Sequence, residues 1–93
     1  MCSYIRSDFA GGFDWDETNA QHIARHQVEP AEAEEAFAGP NLLLRSWDER
    51  YVLFGRSAAG RYLCIAFIVR DGIVRVITAR NMTQAERRRL RRS

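Results

Sequence analysis

Between Asn41 and Arg80 the chain breaks into four runs of strand-like alternation, Asn41–Trp47, Tyr51–Ser57, Arg61–Arg70 and Ile73–Arg80, with only two to four residues between successive runs. Connections this short cannot hold a crossover helix, so neighbouring runs must pair antiparallel, in sequence order, as a meander. Asp71-Gly72 is the strongest of the turns, because a two-residue type I′ hairpin needs residues that tolerate positive φ. Counting back from it puts Arg70 opposite Ile73, Val69 opposite Val74, Phe67 opposite Val76, Ile65 opposite Thr78 and Leu63 opposite Arg80. A four-residue turn over Ser57–Gly60 would set Arg56 opposite Arg61, Phe54 opposite Leu63 and Val52 opposite Ile65. Together these registers predict that Arg56, Arg61 and Arg80 meet at one end of the core-facing side of the sheet.

The flanking segments read as helices. Asp16 can cap a first helix running to His26, with Trp15 as an apolar anchor and Ala20, Ile23 and Ala24 as a narrow buried stripe. Pro30 suits the first turn of a second helix, in which Ala33, Ala36 and Phe37 recur on one face and Gly39-Pro40 ends the element. Thr83-Gln84-Ala85-Glu86 has capping-box spacing and opens a third, arginine-rich helix. The expected fold class is therefore α+β: two N-terminal helices, a four-stranded antiparallel β-meander and a C-terminal helix. Residues 1–12 read as a flexible lead-in and 13–93 as one domain; 93 residues with 46% hydrophobic and 28% charged side chains support one small core, not two.

The net charge of +2 hides an unusual make-up: all fourteen basic residues are arginine. The absence of lysine excludes Schiff-base chemistry and a Walker-type phosphate loop. Either a composition bias or selection for planar bidentate donors would account for the all-arginine usage. Five arginines fall in Arg87–Arg92, leaving nine basic against twelve acidic residues elsewhere, so the basic field is local. Two cysteines, Cys2 and Cys64, and no apolar leader point to a reduced cytoplasmic protein. The longest apolar run, Tyr62–Val69, is far short of the ~20 residues a membrane helix requires, and no membrane role is expected.

The arginine cluster has two readings. Glu32, Glu34, Glu35 or Glu86 could neutralise it in an ordinary ion-pair network, or it could form an anion site for RNA phosphates, since guanidinium forks bind phosphate bidentately and stay protonated. Arginines would stabilise charge, so a proton carrier must come from His22, His26, Glu49 or Glu86. His22 and His26 share a helix face, but no third ligand and no zincin glutamate accompany them, and neither a metal nor any other cofactor is expected. The Arg87–Arg92 tail is either a solvated helix end or an electrostatic RNA contact through Arg87 and Arg88.

Phe13-Asp14-Trp15-Asp16, Asn19, His22-Ile23-Ala24-Arg25-His26, Val28, Pro30 and the Glu-rich second helix, followed by Val76-Ile77-Thr78-Ala79-Arg80-Asn81-Met82-Thr83 and Glu86-Arg87-Arg88, resemble the BrnT toxin family from Phe13 to about Leu90. The resemblance implies a RelE-like, metal-independent ribonuclease of a type II toxin-antitoxin pair that cuts messenger RNA by attack of a ribose 2′-hydroxyl, inhibiting translation and growth. It also implies a BrnA-like ribbon-helix-helix antitoxin, contact with operator DNA only through that antitoxin, and allows a heterotetramer of the two. On this chain it assigns Arg61 and Arg80 to phosphate stabilisation with Arg56 beside them, and His26 to proton transfer or positioning; His22, Arg87 and Arg88 stand as candidate RNA contacts from their own chemistry. Gln27 departs from the family, which usually has glycine there, and the first helix lacks the lysines common in it; both mark a divergent branch. A non-catalytic module that keeps the antitoxin surface is the alternative.

Overall fold

The computed structural model describes residues 12–45 and 50–92, and the elements follow in the order β1 (Gly12–Phe13), α1 (Glu17–Ala24), α2 (Pro30–Ala38), β2 (Asn41–Arg45), β3 (Arg50–Arg56), β4 (Tyr62–Arg70), β5 (Ile73–Asn81) and α3 (Gln84–Arg92). The three helices and the β2–β5 meander match the expected order. The sheet has five strands rather than four, in the order β1-β5-β4-β3-β2, because Gly12 and Phe13 pair in parallel with Ile73 and Val74. Of the expected 1–12 lead-in only Gly12 is described, and it belongs to this strand. Cys2, Trp47 and Glu49 lie outside the described residues.

Helices α1 and α2 cover one face of the sheet. Ile23, Val28, Ala33, Ala36 and Phe37 pack there against Leu53, Leu63, Ile65, Phe67, Val74, Val76 and Ala79. Asn19 fastens α1 to the sheet from a buried position: its Nδ2 donates to the carbonyls of Asp14 and Val76 at 3.0 and 3.2 Å, while its Oδ1 accepts from the Asp16 N–H. The Asp16 carboxylate accepts from the Asn19 N–H in return and completes the cap. Its pKa is lowered by that backbone donor and by Arg75.

The other face holds a smaller cluster of Phe54, Cys64 and Met82 with Leu42, Leu44, Val52 and Tyr62 around it, and α3 touches this cluster through Leu90. No α3 residue is buried, so this helix is a polar cover on one end of that face. Among the described residues no helix is long and apolar enough to cross a membrane.

Both expected registers shift by one residue at the end of the sheet that carries Arg56, Arg61 and Arg80. The β3–β4 turn spans three residues, not four: Ser57 and Arg61 are joined by a backbone bond of 2.9 Å, and Gly60 adopts φ +92°. A left-handed third loop residue is what such hairpins require, and it sets Arg56 opposite Tyr62, Phe54 opposite Cys64 and Val52 opposite Ala66. On β4–β5 the pairing follows expectation from Arg70↔Ile73 to Phe67↔Val76, but then a β-bulge intervenes, so that Ala66 faces Thr78, Ile65 faces Ala79 and Cys64 faces Arg80. Without the extra residue Thr78 and Arg80 would point into the α1–α2 core, where an unpaired guanidinium is costly. The bulge sends Ala79 inward in their place.

Candidate active site

The corrected registers divide the expected arginine trio between the two sides of the sheet. Arg56 and Arg80 stand on the face away from α1 and α2, whereas Arg61, just before β4 and in step with Leu63 and Ile65, lies on the helical side. The three do share one end of the sheet, and Asn81 links two of them: its side-chain oxygen accepts from Arg61 Nε at 2.8 Å and its carbonyl from Arg80 Nη1 at 3.0 Å.

Arg61 is nearly saturated. It donates to Asn81, to the carbonyls of His26 and Gln27 and to Glu32 Oε1 at 3.0 Å. Four of its five N–H groups are thereby spent on the protein. The helix end it holds is unusual, since Gln27 has φ +62°. The N–H groups of Gln27 and Val28 return to the carbonyls of Ala24 and Ile23 at 2.9 and 3.2 Å, the paired bonds of a Schellman C-cap. Val28 and Ile23 then bury together in the core. Glutamine thus adopts the conformation that glycine adopts freely, with Arg61 on its carbonyl. The helix expected to run to His26 ends at Ala24, so exposed His22 stands on α1 and exposed His26 in the turn that follows it, their rings 6.5 Å apart and tilted. Among the described residues no group of three or more His, Cys, Asp or Glu side chains converges as a metal site.

Arg80 has a different environment. Its Nη1 and Nη2 form a bidentate pair with the Glu86 carboxylate at 2.8 and 2.9 Å. The capping box expected at α3 is formed as well, with Thr83 N–H donating to Glu86 at 2.9 Å and Glu86 N–H to the Thr83 hydroxyl at 3.2 Å. Held by the Arg80 guanidinium and the Thr83 N–H, the Glu86 carboxyl titrates at about 2, so it is ionised at neutral pH and a weak proton acceptor. Both residues of the pair border an open cleft of about 450 Å³ whose floor is Val52, Phe54, Cys64, Ala66 and Thr78. Burial pushes the Cys64 thiol up despite the nearby Arg80, which keeps it protonated and disfavours it as a nucleophile.

Arg56 and Arg87 flank Tyr62, with their guanidinium carbons 4.7 and 4.2 Å from the ring centroid. Arg88 is exposed on α3. Of the four glutamates considered as neutralising partners, Glu32 pairs with Arg61 and Glu86 with Arg80. Glu34 instead accepts from the Trp15 indole at 2.7 Å, and Glu35 from the Ala58 N–H at 3.0 Å. Sequence reasoning misses Tyr62 and Asn81; the capping and turn signals around them do not reveal that one carries two guanidiniums and the other joins Arg61 to Arg80.

Residues 15–86 match the family model described as the ribonuclease toxin BrnT of the type II toxin-antitoxin system. The crystal structure of the Brucella abortus ribonuclease toxin BrnT is similar in fold, with a TM-score of 0.65 at 21% identity over 78% of this chain and 97% of that one. A search of curated proteins finds no match to this sequence. The family match extends from the α1 anchor Trp15 to the α3 carboxylate Glu86 that pairs with Arg80, and this chain belongs to the BrnT family of type II toxin-antitoxin ribonuclease toxins.

Proposed function

We propose that this chain is a metal-independent endoribonuclease that cuts messenger RNA and arrests translation and growth in the bacterial cytoplasm. Its type II partner is an antitoxin, which we take to be a BrnA-like ribbon-helix-helix protein that contacts operator DNA and forms a heterotetramer with the toxin. The observation carrying this reading is the Arg80 fork at the cleft mouth, which already holds an oxyanion, the Glu86 carboxylate, in the two-oxygen geometry that a phosphate would use. In the reaction the ribose 2′-oxygen bonds to the adjacent phosphorus and the phosphorus–5′-oxygen bond breaks. The 2′-proton passes to a base and the leaving oxygen receives one. Arg80, exchanging Glu86 for phosphate oxygens, stabilises the charge that builds on the phosphoryl group.

In this scheme Arg56 contributes charge from the same face, and Arg61, its donors engaged by the protein, fixes the α1 end that carries His26. His26 is the candidate for moving or positioning a proton, with His22 beside it for RNA contact and Arg87 and Arg88 along the phosphate track.

The test is induction of the wild type, Arg80→Ala and Arg61→Ala in bacteria, following growth and RNA integrity together, with folding checked by thermal melting. The expected result is growth arrest with RNA loss in the wild type and neither in a folded Arg80→Ala. Equal toxicity of wild type and Arg80→Ala would overturn the site. A second reading, a module that binds antitoxin without cutting RNA, draws on the neutralisation of Arg80 by Glu86; it predicts intact RNA with the wild type itself.

A further inference from the structure

Building on the ribonuclease reading, we propose that Tyr62 is a positioning residue for RNA, its ring holding the Arg56 and Arg87 guanidiniums as a cationic platform that grips the phosphates of a single strand next to Arg80. The two cations come from different elements, Arg56 from the end of β3 and Arg87 from the first half of α3, and converge on the ring at 4.7 and 4.2 Å. Like charges brought this close repel each other.

Elsewhere at the functional end the chain answers such charge with a carboxylate. Arg61 has Glu32 and Arg80 has Glu86, just as Arg75 on the other part of β5 has Asp14 and Asp16. Among the described residues neither Arg56 nor Arg87 has an acidic partner within ion-pair distance. Glu35, which borders the neighbouring cleft, gives its carboxylate to the Ala58 N–H instead. What sets Arg56 and Arg87 apart is that two guanidiniums without a carboxylate between them meet on one ring.

The geometry suits a phosphate chain. Arg56 Nε is tied to the Gly60 carbonyl at 3.1 Å, which fixes the guanidinium plane and leaves its outer N–H groups for incoming oxygens. Stacking on the ring orders both forks in advance, so less side-chain entropy is lost when an anion binds. The platform opens on a groove of about 1250 Å³ that also receives Arg91. Cross-strand pairing of Arg56 with Tyr62, and of Cys64 with Arg80 one same-face step along β4, puts platform and Arg80 on a continuous path. An RNA strand lying on Arg80 would thus have an adjoining phosphate over the stack.

The experiment uses a 2′-O-methyl oligoribonucleotide, in which the attacking hydroxyl is blocked, and measures Kd by fluorescence anisotropy across a salt series. It compares wild type, Tyr62→Leu, Tyr62→Phe and the Arg56→Ala/Arg87→Ala double variant. Leucine preserves the apolar packing against Phe54, Cys64 and Met82 but removes the π face, so the expected result is about a fivefold rise in Kd for Tyr62→Leu, with Tyr62→Phe within about twofold of wild type. The double variant should lower the salt slope by about 0.7 for each phosphate that the arginines no longer neutralise. With cleavable RNA, Tyr62→Leu should raise KM and leave kcat nearly constant.

Unchanged affinity and slope in the variants would overturn the proposal, as would an equal loss in Tyr62→Phe and Tyr62→Leu. Variants that weaken antitoxin binding while oligonucleotide affinity stays constant would make the stack a protein contact and overturn it too. The two readings fail separately: a wild type that binds the oligonucleotide through the stack but cuts no RNA refutes the ribonuclease, whereas a wild type that cuts RNA with a KM insensitive to Tyr62 refutes the platform.

Discussion

Replacing Gln27 by glycine should stabilise the protein. The perturbation acts at a residue whose φ of +62° lies in the left-handed region, where a Cβ crowds the following carbonyl at a cost of roughly 1–2 kcal/mol. Glycine removes that strain, but it widens the unfolded ensemble by about 0.5–1 kcal/mol. The two backbone bonds closing the cap, from Gln27 to Ala24 and from Val28 to Ile23, need only the main chain and persist, as do the Arg61 contacts to the carbonyls of His26 and Gln27. The net gain is then about 0.5–1 kcal/mol, or roughly 2–8 °C in Tm for a domain of this size. Differential scanning calorimetry of Gln27→Gly against wild type measures it, with Gln27→Val as the opposite control, since a β-branched residue is worse still at positive φ. A lower Tm for Gln27→Gly would refute the reasoning and show that the glutamine side chain contributes more than its backbone costs.

Arg61→Met should lower stability by about 2 kcal/mol in urea unfolding, because it releases the α1 end, Glu32 and Asn81 together. Gly55→Ala should cost about 1–3 kcal/mol, because the new Cβ would stand 2.8 Å from the Ala36 carbonyl oxygen and 3.1 Å from the Ala36 Cβ, forcing α2 off the sheet; a thermal melt unchanged from wild type would contradict that close approach. Glu86 titrates at about 2 in the folded chain against an ordinary 4.5, so its contribution is complete above about pH 4.5 and is lost as pH falls towards 2. With Arg80 partly open to solvent, Glu86→Gln should cost about 1–2 kcal/mol at neutral pH, and the gap to wild type should close over that acid range in pH-dependent denaturation.

Much of this protein was determined by local sequence. Asp71-Gly72 set the β4–β5 turn, Thr83 and Glu86 set the start of α3, and Pro30 and Gly39 bounded α2, because turn and cap geometries depend on the φ preferences and side-chain hydrogen bonds of a few adjacent residues. The residues shared with the BrnT family were legible for the same reason, as an ordered series along the chain. The placement of the arginines was not. One residue at the bulge and one in the β3–β4 turn each slip the register by a single position, and a slip of one exchanges the faces of a strand. The period-two pattern of β5 is satisfied on either side of such a bulge, and only the cost of facing Arg80 into the core of Val76, Ala79 and Phe67 decides where the break falls. That Tyr62 carries two arginines, and that Asn81 ties Arg61 to Arg80, followed from the same long-range pairing. Contacts such as Arg61–Asn81 and Tyr62–Arg87, twenty or more positions apart, are set by how sheet and helices pack, and that the tertiary structure alone decided.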